Sequence, residues 1–453
     1  MVGTVGNVAA RSLEDVNEPS AVTEHPYYHP LPGTAWEAVD EAEDLLGAQA
    51  PLVTLANWQE DPHHAWSFQH MRELMPSQVI DGTDDPRPLA EATGEVGGIP
   101  LPETPWAPTV DSLLAATETD AFLVVHRGTI VQERYHAGMN RRRRHLLMSV
   151  TKSVVSAVAG SLTGSGLLDP DAPVETYVPE LARCGYAGAS VRTVLDMRSG
   201  VKFSEAYLDP DSEVRVMERS MGWAPRNHGD PLGMYPYILT TTAARPHDGV
   251  FDYRSIETDV LGWICERAAG RRMADLIADL VWRPIGAFHD AEIAADPLGC
   301  AVHDGGMSAT LRDLGRFGLM LLDHGLVGER QVIPAGWVTD AAYPPADVRA
   351  AFAASTNEPY LPGGWYRSQF WFVPGDAGPI LLCLGIHGQM VFVEWSTGLV
   401  GVKFSSWPTP QNADKLVATI GAFRAIGRAC PTLSWRCPDA CGPDLTGCPE
   451  GVS

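Results

Sequence analysis

The feature that most constrains this chain is a serine followed three residues later by a lysine, at the head of an apolar segment. The pair is Ser149 and Lys152, inside the mainly apolar run 146–155. Apolar positions recur at helical spacing, at Val150, Val154, Val155, Val158 and Leu162. Because residues three apart share one face of a helix, the two polar side chains can meet. The pattern predicts a buried helix with Ser149 in its first turn.

The same pair indicates a nucleophile with its activator beside it. A hydroxyl group needs a neighbouring base or cation to become nucleophilic near neutral pH, and Lys152 is such a neighbour. Exposed backbone N–H groups at a helix start can also stabilise an oxyanion. Taken alone the pattern is weak, because it is short and because a serine at a helix start is more often an N-cap. Other segments must therefore support it.

Composition and charge restrict the class of protein. The chain has 453 residues, 45% of them hydrophobic and 20% charged, which is enough for a large core in one catalytic unit. A net charge of −23 argues against nucleic acid or an anionic membrane surface as partner, and the basic run 141–144 is interpreted as a solvated loop. No window reaches the roughly 20 apolar residues of a membrane span, and the start lacks the pattern of a signal peptide. We expect a cytoplasmic protein.

Three regions are predicted along the chain. Residues 1–50 are acidic and proline-punctuated, and are interpreted as an N-terminal arm. Residues 51–428 form the catalytic unit, with a sheet subdomain at about 51–150 plus 330–428 and a helical subdomain at about 151–329. Residues 429–453 are a tail that contains Cys430, Cys437, Cys441 and Cys448. This spacing does not match the usual paired zinc pattern, so two disulfides or a disordered tail are favoured over a metal knuckle.

The periodicity of the catalytic unit predicts an α+β fold. Apolar and alternating runs predict strands at residues 121–126, 129–135, 369–373, 380–384, 390–394 and 399–404. Two helices are predicted at residues 260–269 and 413–428. The first hairpin and the last strands are expected to join one antiparallel sheet flanked by helices, with a mostly helical domain inserted between them.

Two more segments carry side chains suited to a catalytic group. Tyr253 and Ser255 stand two apart just before a predicted helix, at an element end where catalytic side chains often lie. His387 is bracketed by Gly385 and Gly388 between two predicted strands, which would let a substrate approach a strand backbone. Alone, the first segment reads as an ordinary turn and the second as a structural histidine.

Taken together, the three segments resemble the serine β-lactamase and penicillin-recognising superfamily, whose motifs Ser-x-x-Lys, Tyr-x-Asn and Lys-Thr-Gly come in this order. Here Ser255 replaces the asparagine, and Ile386-His387-Gly388 replaces Lys-Thr-Gly. With these departures the chain is similar to the 6-aminohexanoate-dimer hydrolases, the nylon-oligomer hydrolase branch. Collinear matches extend over residues 50–428 and include Asn57-Trp58-Gln59-Glu60, Tyr177-Val178-Pro179-Glu180-Leu181, His228-Gly229-Asp230-Pro231 and Ser405-Ser406-Trp407-Pro408.

The resemblance implies a role for each matching residue. Ser149 would attack the carbonyl, Tyr253 would take its proton and later pass one to the leaving amine, and Lys152 would hold Tyr253 toward phenolate. The backbone N–H groups of Ser149 and Ile386 would bind the oxyanion. Substrate contacts are implied for Tyr207, Glu218, Ser255, Asp304 and His387. No metal or cofactor is implied, and the resemblance suggests a homodimer.

The expected function is that of a serine hydrolase working through an acyl-enzyme. Linear amides of ω-amino acids are the leading substrate class, with short-chain carboxylesterase activity beside it. A carboxylesterase without amide activity is the nearest alternative, and a non-catalytic binding protein on a hydrolase scaffold is another. A β-lactamase or DD-peptidase is disfavoured, because the lysine of Lys-Thr-Gly that meets a substrate carboxylate is missing.

Overall fold

The computed structural model describes residues 52–92 and 94–430. The predicted N-terminal arm over residues 1–50 and the cysteine-rich tail from residue 431 onward lie outside the described residues. Within the described ranges, no helix combines the length and the apolar character needed to cross a membrane.

The strands of the described residues are short to medium in length. They are β1 (Ser77–Ile80), β2 (Ala90–Glu91), β3 (Thr119–His126), β4 (Thr129–Tyr135), β5 (His145–Leu146), β6 (Ala291–Ala294), β7 (Met307–Ala309), β8 (Leu326–Val327), β9 (Arg330–Gln331), β10 (Trp365–Arg367), β11 (Phe370–Gly375), β12 (Gly378–Gly385), β13 (Gln389–Glu394) and β14 (Leu399–Ser405).

The helices are concentrated in the middle of the chain. They are α1 (His64–Ser67), α2 (Met71–Leu74), α3 (Val110–Ala116), α4 (Val150–Gly164), α5 (Val191–Leu195), α6 (Glu213–Met221), α7 (Met234–Ile238), α8 (Ile256–Ala269), α9 (Met273–Ile277), α10 (Leu311–Leu322), α11 (Ala335–Ala342), α12 (Ala346–Ala353) and α13 (Ala413–Ala429). Short 3₁₀ turns lie at Val174–Thr176, Pro179–Arg183 and Ile386–Gly388, and α9 continues into a π-helical turn, Ala278–Trp282.

A large sheet forms the centre of the described part of the chain. Its eight strands run in the order β10-β11-β12-β13-β14-β3-β4-β2. The first hairpin therefore joins the last strands, as the sequence predicts, through pairing of β14 with β3. All its pairings are antiparallel except the one between the two-residue edge strand β2 and β4, which is parallel. The α+β fold with an antiparallel sheet flanked by helices is confirmed.

Helices cover both faces of this sheet. Neighbouring residues of a strand point to opposite faces, and Gly401 of β14 lies under the Phe423 ring of α13, while Val400 meets Gly318 of α10. The helix α4, which begins directly after Ser149, packs against β12 and β13 as well as against α8. The core thus extends from the sheet into the helical middle without interruption.

A second sheet, with order β1-β6-β7-β5, was missed by the sequence interpretation. Its strands β6 and β7 lie in the region that the sequence predicts as mostly helical or loop. They are four and three residues long and fully buried, so no alternation of polar and apolar residues marks them. The two-residue strand β5 ends three residues before Ser149 and pairs with β7. This small sheet therefore fixes the chain just ahead of Ser149.

The remaining predicted elements are found close to their expected bounds. The hairpin begins two residues early as β3 and β4, and the four later strands shift by one or two residues at their ends. The helix predicted at residues 260–269 starts earlier, at Ile256, directly after Ser255. The last predicted helix, over residues 413–428, is α13 and ends one residue later.

Close packing of α13 on the sheet yields a stability prediction. A Cβ on Gly401 would lie 2.2 Å from the Phe423 ring, so Gly401→Val should destabilise the fold by about 1–3 kcal/mol through overpacking. Urea unfolding midpoints measure the change. Gly421→Ala on α13 is the matched control, because nothing lies within 4 Å of its added Cβ. This substitution should leave the midpoint unchanged or raise it. Equal effects of the two substitutions would contradict the packing argument.

Candidate active site

Ser149 lies at the N-cap position of α4, at the floor of a cleft. Its hydroxyl makes no capping hydrogen bond to the helix and instead accepts one from Lys152 Nζ at 2.9 Å. The structure thus decides against the capping interpretation. The residue before it, Met148, has a left-handed backbone with φ 48°, an uncommon conformation for a side chain of this size. This turn presents Ser149 at the end of the helix.

Lys152 is the centre of the polar cluster. Its side chain is fully buried, and Nζ donates to Ser149 Oγ at 2.9 Å, Ser255 Oγ at 3.1 Å and the Asp304 carbonyl at 2.6 Å. Burial lowers the pKa of Lys152, but electrostatic interaction with Tyr253, Asp304, Glu205 and Asp259 outweighs it and holds the pKa above its usual value. Lys152 is therefore an ammonium group whose three hydrogens all have acceptors.

Tyr253 lies beside Lys152, whose Nζ is 5.5 Å from the centre of the Tyr253 ring. Its ring is packed between Trp371, at a centroid distance of 5.1 Å, and Tyr366, at 6.0 Å. Burial raises the pKa of Tyr253 above its usual value, although the charge of Lys152 and hydrogen bonds with Ser149 and Lys152 lower it. Lys152 lowers the pKa of Tyr253, as the resemblance implies, but burial raises this pKa by more.

Arg254 anchors the turn that carries Tyr253 and Ser255. This guanidinium is 1% exposed and bonds the carbonyls of Val201 and Ser199 at 3.1 and 2.5 Å. It also pairs with Glu257 of α8 at 3.1 Å. Since a guanidinium has a rigid fork of donors, Arg254 fixes the direction of its two neighbours.

Glu205 is a site residue that the sequence interpretation missed. Its carboxylate accepts hydrogen bonds from the Ser255 hydroxyl and from the Tyr207 hydroxyl, both at 2.5 Å, and from the Ser255 N–H at 3.0 Å. Desolvation raises the pKa of Glu205, and the nearby Lys152 charge opposes the shift. The only sequence signal was its position two residues before the predicted substrate residue Tyr207.

Two predicted substrate residues, Ser255 and Tyr207, both form hydrogen bonds with Glu205. Ser255 accepts from Lys152 and donates to Glu205, so its main contacts are within the polar cluster rather than with a ligand. Tyr207 is buried and lines the cleft, as expected for a substrate contact. Because its hydroxyl proton goes to Glu205, the Tyr207 oxygen is left as an acceptor.

The cleft has two parts with different chemistry. The main part has a volume of about 910 Å³ and is lined by Ser149, Tyr253 and a largely apolar set that includes Leu208, Trp371, Leu384, Met390, Trp407 and Leu416. A small pocket of about 20 Å³ opens beside Ser149 and is lined by Glu218, Asp304, Ser255, Tyr207 and Trp223. A volume of this size holds about one water molecule.

The small pocket contains the two predicted acidic substrate residues, Glu218 and Asp304. Burial raises the pKa of Glu218 to about 7, against the opposing ion pair with Arg215. Burial also raises the pKa of Asp304, whose Oδ2 lies 3.9 Å from Lys152 Nζ. Among the described residues, neither Asp304 Oδ1 nor Trp223 Nε1 has a hydrogen-bond partner. One acceptor and one donor are therefore available at this pocket.

The segment after β12 brings Ile386 to the cleft but turns His387 away from it. Ile386 lines both parts of the cleft beside Ser149. A Cβ at Gly385 would lie 2.6 Å from the Leu147 carbonyl, so glycine permits this close approach. The two proposed oxyanion donors, the N–H groups of Ser149 and Ile386, therefore belong to adjacent segments.

The predicted substrate contact of His387 is wrong. Its left-handed backbone, with φ 60°, directs the ring into the core, where it packs 5.2 Å from the Phe68 ring. Nδ1 donates to the Trp407 carbonyl at 2.7 Å, and burial lowers the pKa of His387 to about 4, so the ring is neutral. His387 fixes the loop that carries Ile386 rather than touching a ligand.

Comparison with known proteins shows which family the chain belongs to. Residues 107–422 match the family described as Beta-lactamase. The chain belongs to the β-lactamase family. It is 39% identical over 367 residues to the 6-aminohexanoate-dimer hydrolase of Paenarthrobacter ureafaciens, covering 80% of this chain and 91% of that protein. The predicted membership in that branch is confirmed, and the chain is a hydrolase of this family.

Solved structures show the same fold. A protein from Bacillus anthracis, provisionally described as a 6-aminohexanoate-dimer hydrolase, superposes with a TM-score of 0.78 at 25% identity, covering 85% of this chain and 99% of that one. A family VIII carboxylesterase superposes with a TM-score of 0.52 at 16% identity, covering 73% and 100% of the two chains. The second likeness is one of fold alone.

Proposed function

We propose that this protein is a serine amidohydrolase that cleaves linear amides of ω-amino acids through an acyl-enzyme, with short-chain esterase activity at the same site. The observation that carries the proposal is the hydrogen bond from the buried Lys152 ammonium to Ser149 Oγ at the floor of an open cleft. A serine that only caps a helix has no need of a buried cation, which is costly to place. The similarity to a 6-aminohexanoate-dimer hydrolase supports the substrate class.

The pKa directions favour a proton relay through a neutral tyrosine. In acylation, Ser149 Oγ bonds to the carbonyl carbon, its proton passes to the Tyr253 oxygen, and Tyr253 gives its own proton to the leaving nitrogen as the C–N bond breaks. In deacylation, water replaces the leaving amine, its proton passes to Tyr253, and Tyr253 returns one to Ser149. Lys152 stays an ammonium throughout and stabilises the negative charge that develops on both oxygens.

The oxyanion is proposed to be bound by the N–H groups of Ser149 and Ile386. Both residues border the cleft, and the N–H of Ser149 belongs to the positive end of α4. Fixed donors of this kind stabilise the charge that forms on the substrate carbonyl oxygen in the transition state.

Tyr207 supplies a means to favour amides over esters. An amide nitrogen carries an N–H that an ester lacks, and the Tyr207 oxygen has its own proton directed to Glu205 at 2.5 Å. The oxygen can therefore accept a hydrogen bond from a substrate amide N–H. An ester bound in the same place would leave this acceptor unused.

A carboxylesterase without amide activity is the second candidate, favoured by the apolar lining of the main cleft. A comparison of 6-aminohexanoate dimer with p-nitrophenyl butyrate separates the two. We expect turnover of both by the wild type and none by Ser149→Ala, measured as kcat/KM. Turnover of the ester alone would replace the amidase proposal by the esterase. Turnover that persists in Ser149→Ala would exclude Ser149 as the nucleophile, and no turnover by the wild type would favour a binding protein.

Removal of the Tyr253 hydroxyl tests the proton relay. Tyr253→Phe should lower kcat by about 10²- to 10⁴-fold on both substrates, because no other group carries the proton from Ser149. Tyr343→Phe is the matched control, since Tyr343 is 64% exposed on the surface, and it should leave kcat unchanged. If the two variants behave alike, Tyr253 has no part in proton transfer.

Removal of the Tyr207 hydroxyl tests the amide contact. Tyr207→Phe should reduce kcat/KM for the amide by about tenfold, the effect of one hydrogen bond, and should change ester turnover much less. The ratio of the two kcat/KM values is the readout. Equal losses on the amide and the ester would reduce Tyr207 to a packing residue.

A further inference from the structure

Asp259, in the first turn of α8, holds the backbone segment to which Lys152 donates its shortest hydrogen bond. Asp259 Oδ1 accepts from the N–H groups of His303 and Asp304 at 3.1 and 3.2 Å. The carbonyl of Asp304 accepts from Lys152 Nζ at 2.6 Å, which is shorter than the other two bonds of this ammonium group. The Asp304 backbone is thus bonded to Asp259 through its N–H and to Lys152 through its carbonyl.

The Asp259 carboxyl group is also one of the buried acids that act on Lys152. Its side chain is fully buried, and its Oδ2 has no hydrogen-bond partner among the described residues. Burial and the charge of Asp304 raise the pKa of Asp259 to about 7, while His303 and Lys152 oppose the shift. Asp259 in turn helps to hold the pKa of Lys152 above its usual value. The charges of Asp259 and Lys152 therefore stabilise each other.

His303 supplies a positive charge on the far side of Asp259 from solvent. The ring is fully buried, with Nδ1 3.7 Å from Asp259 Oδ1 and Nε2 3.8 Å from Glu266 Oε1. Glycine at position 262 permits this packing, because a Cβ on Gly262 would lie 2.2 Å from His303 Cγ. Burial lowers the pKa of His303, but the two carboxylates outweigh it and raise the pKa to about 9. Near neutral pH the imidazolium therefore favours the ionised form of Asp259.

We propose that Asp259 is a positioning residue of the active site: through the backbone of residues 303–304 and through its own negative charge, it keeps the Lys152 ammonium group in place and protonated. Asp259 lines neither part of the cleft, so it acts through Lys152 and not on a ligand. The effect on catalysis rests on the proposed function, in which the Lys152 charge stabilises the developing negative charge on Ser149 and Tyr253.

The charges present at high pH decide the direction of the effect on Lys152. The titratable groups that act on it are Tyr253, Asp304, Glu205 and Asp259. With a pKa of about 7, Asp259 is ionised wherever Lys152 titrates. His303, with a pKa of about 9, is largely neutral at that pH. Removal of the Asp259 charge therefore takes one negative charge from Lys152 with no compensating change at His303, and Lys152 should lose its proton at lower pH.

The lysine content of the chain makes this protonation measurable without turnover. The sequence has four lysines, at positions 152, 202, 403 and 415. Full-length protein labelled with carbon-13 at lysine Cε gives one NMR signal for each, and the Lys152 signal is the one that Lys152→Arg removes. Asp259→Asn should lower the pH midpoint of this signal by about one unit, the size of the effect of one nearby charge.

Two variants support the comparison. Asp259→Asn keeps an oxygen that can accept from the two N–H groups and removes only the charge. Asp259→Ser also removes the charge and keeps an acceptor oxygen, so it should lower the Lys152 midpoint as well and serves if the first variant does not fold.

Asp313→Asn is the matched control. Asp313 is also fully buried and accepts from two consecutive N–H groups, those of Phe288 and His289, at 2.7 and 3.1 Å. It is not among the groups that act on Lys152. Asp313→Asn should therefore destabilise the fold but leave the Lys152 midpoint unchanged.

Turnover of p-nitrophenyl butyrate near neutral pH measures the contribution of the backbone contacts. Asp259→Ala removes both the acceptor and the charge and should lower kcat by about tenfold with little change in KM, because the Asp304 carbonyl is no longer fixed. Asp259→Asn keeps the acceptor and should stay within about threefold of the wild-type kcat. A kcat of Asp259→Ala equal to that of the wild type overturns the positioning role.

The NMR midpoint keeps this test separate from the proposed function. A midpoint that falls in the uncharged variants but not in Asp313→Asn supports the inference, even if the protein hydrolyses neither amide nor ester. An unchanged midpoint in the uncharged variants overturns the inference, even if the protein is an active amidohydrolase.

Discussion

The buried ammonium group of Lys152 is the interaction on which the rest of the site depends. A buried charge costs several kcal/mol unless it is paired and fully hydrogen-bonded. Lys152 meets this requirement through acceptors on three separate segments: Ser149 at the start of α4, Ser255 before α8, and the carbonyl of Asp304 before β7. Each segment must therefore keep its place for the others to remain stable. Ser149 is held in place by the same contacts that keep Lys152 charged.

Several buried carboxyl groups surround the Lys152 ammonium group. Burial raises the pKa values of Glu205, Asp304 and Asp259 as well as that of Glu218. The charge of Asp304 raises the pKa values of Asp259 and Glu218 further, and that of Glu205 also raises the pKa of Glu218. Lys152 lowers the pKa values of the first three, and Arg215 lowers that of Glu218. Two of these acids, Glu218 and Asp304, line the small pocket beside Ser149. The main part of the cleft, of about 910 Å³, is largely apolar, which suits the methylene chain of a linear substrate.

The proposed oxyanion side of the site is shaped by left-handed backbone conformations rather than by charged side chains. Met148 and His387 both adopt left-handed conformations, with φ 48° and 60°. Such conformations cost free energy and persist only where surrounding contacts fix them. Here those contacts include the closeness of Gly385 to Leu147 and the hydrogen bond from His387 to the Trp407 carbonyl. The two turns pack closely, since a Cβ at Gly385 would also lie 3.0 Å from Met148 Cβ.

The sequence by itself determined the elements and the order of the chemical groups, because helical and strand periodicities are local. It predicted α4 with Ser149 and Lys152 on one face, and six of the eight strands of the large sheet. Only the tertiary structure decided which groups meet: Glu205 bonds Ser255 from fifty residues away. The short strands β5, β6 and β7 also needed partners that no local pattern reveals. The His387 side chain points into the core because the backbone of this residue is left-handed. Residue type alone does not predict such a conformation, which local preference disfavours and only the surrounding packing fixes.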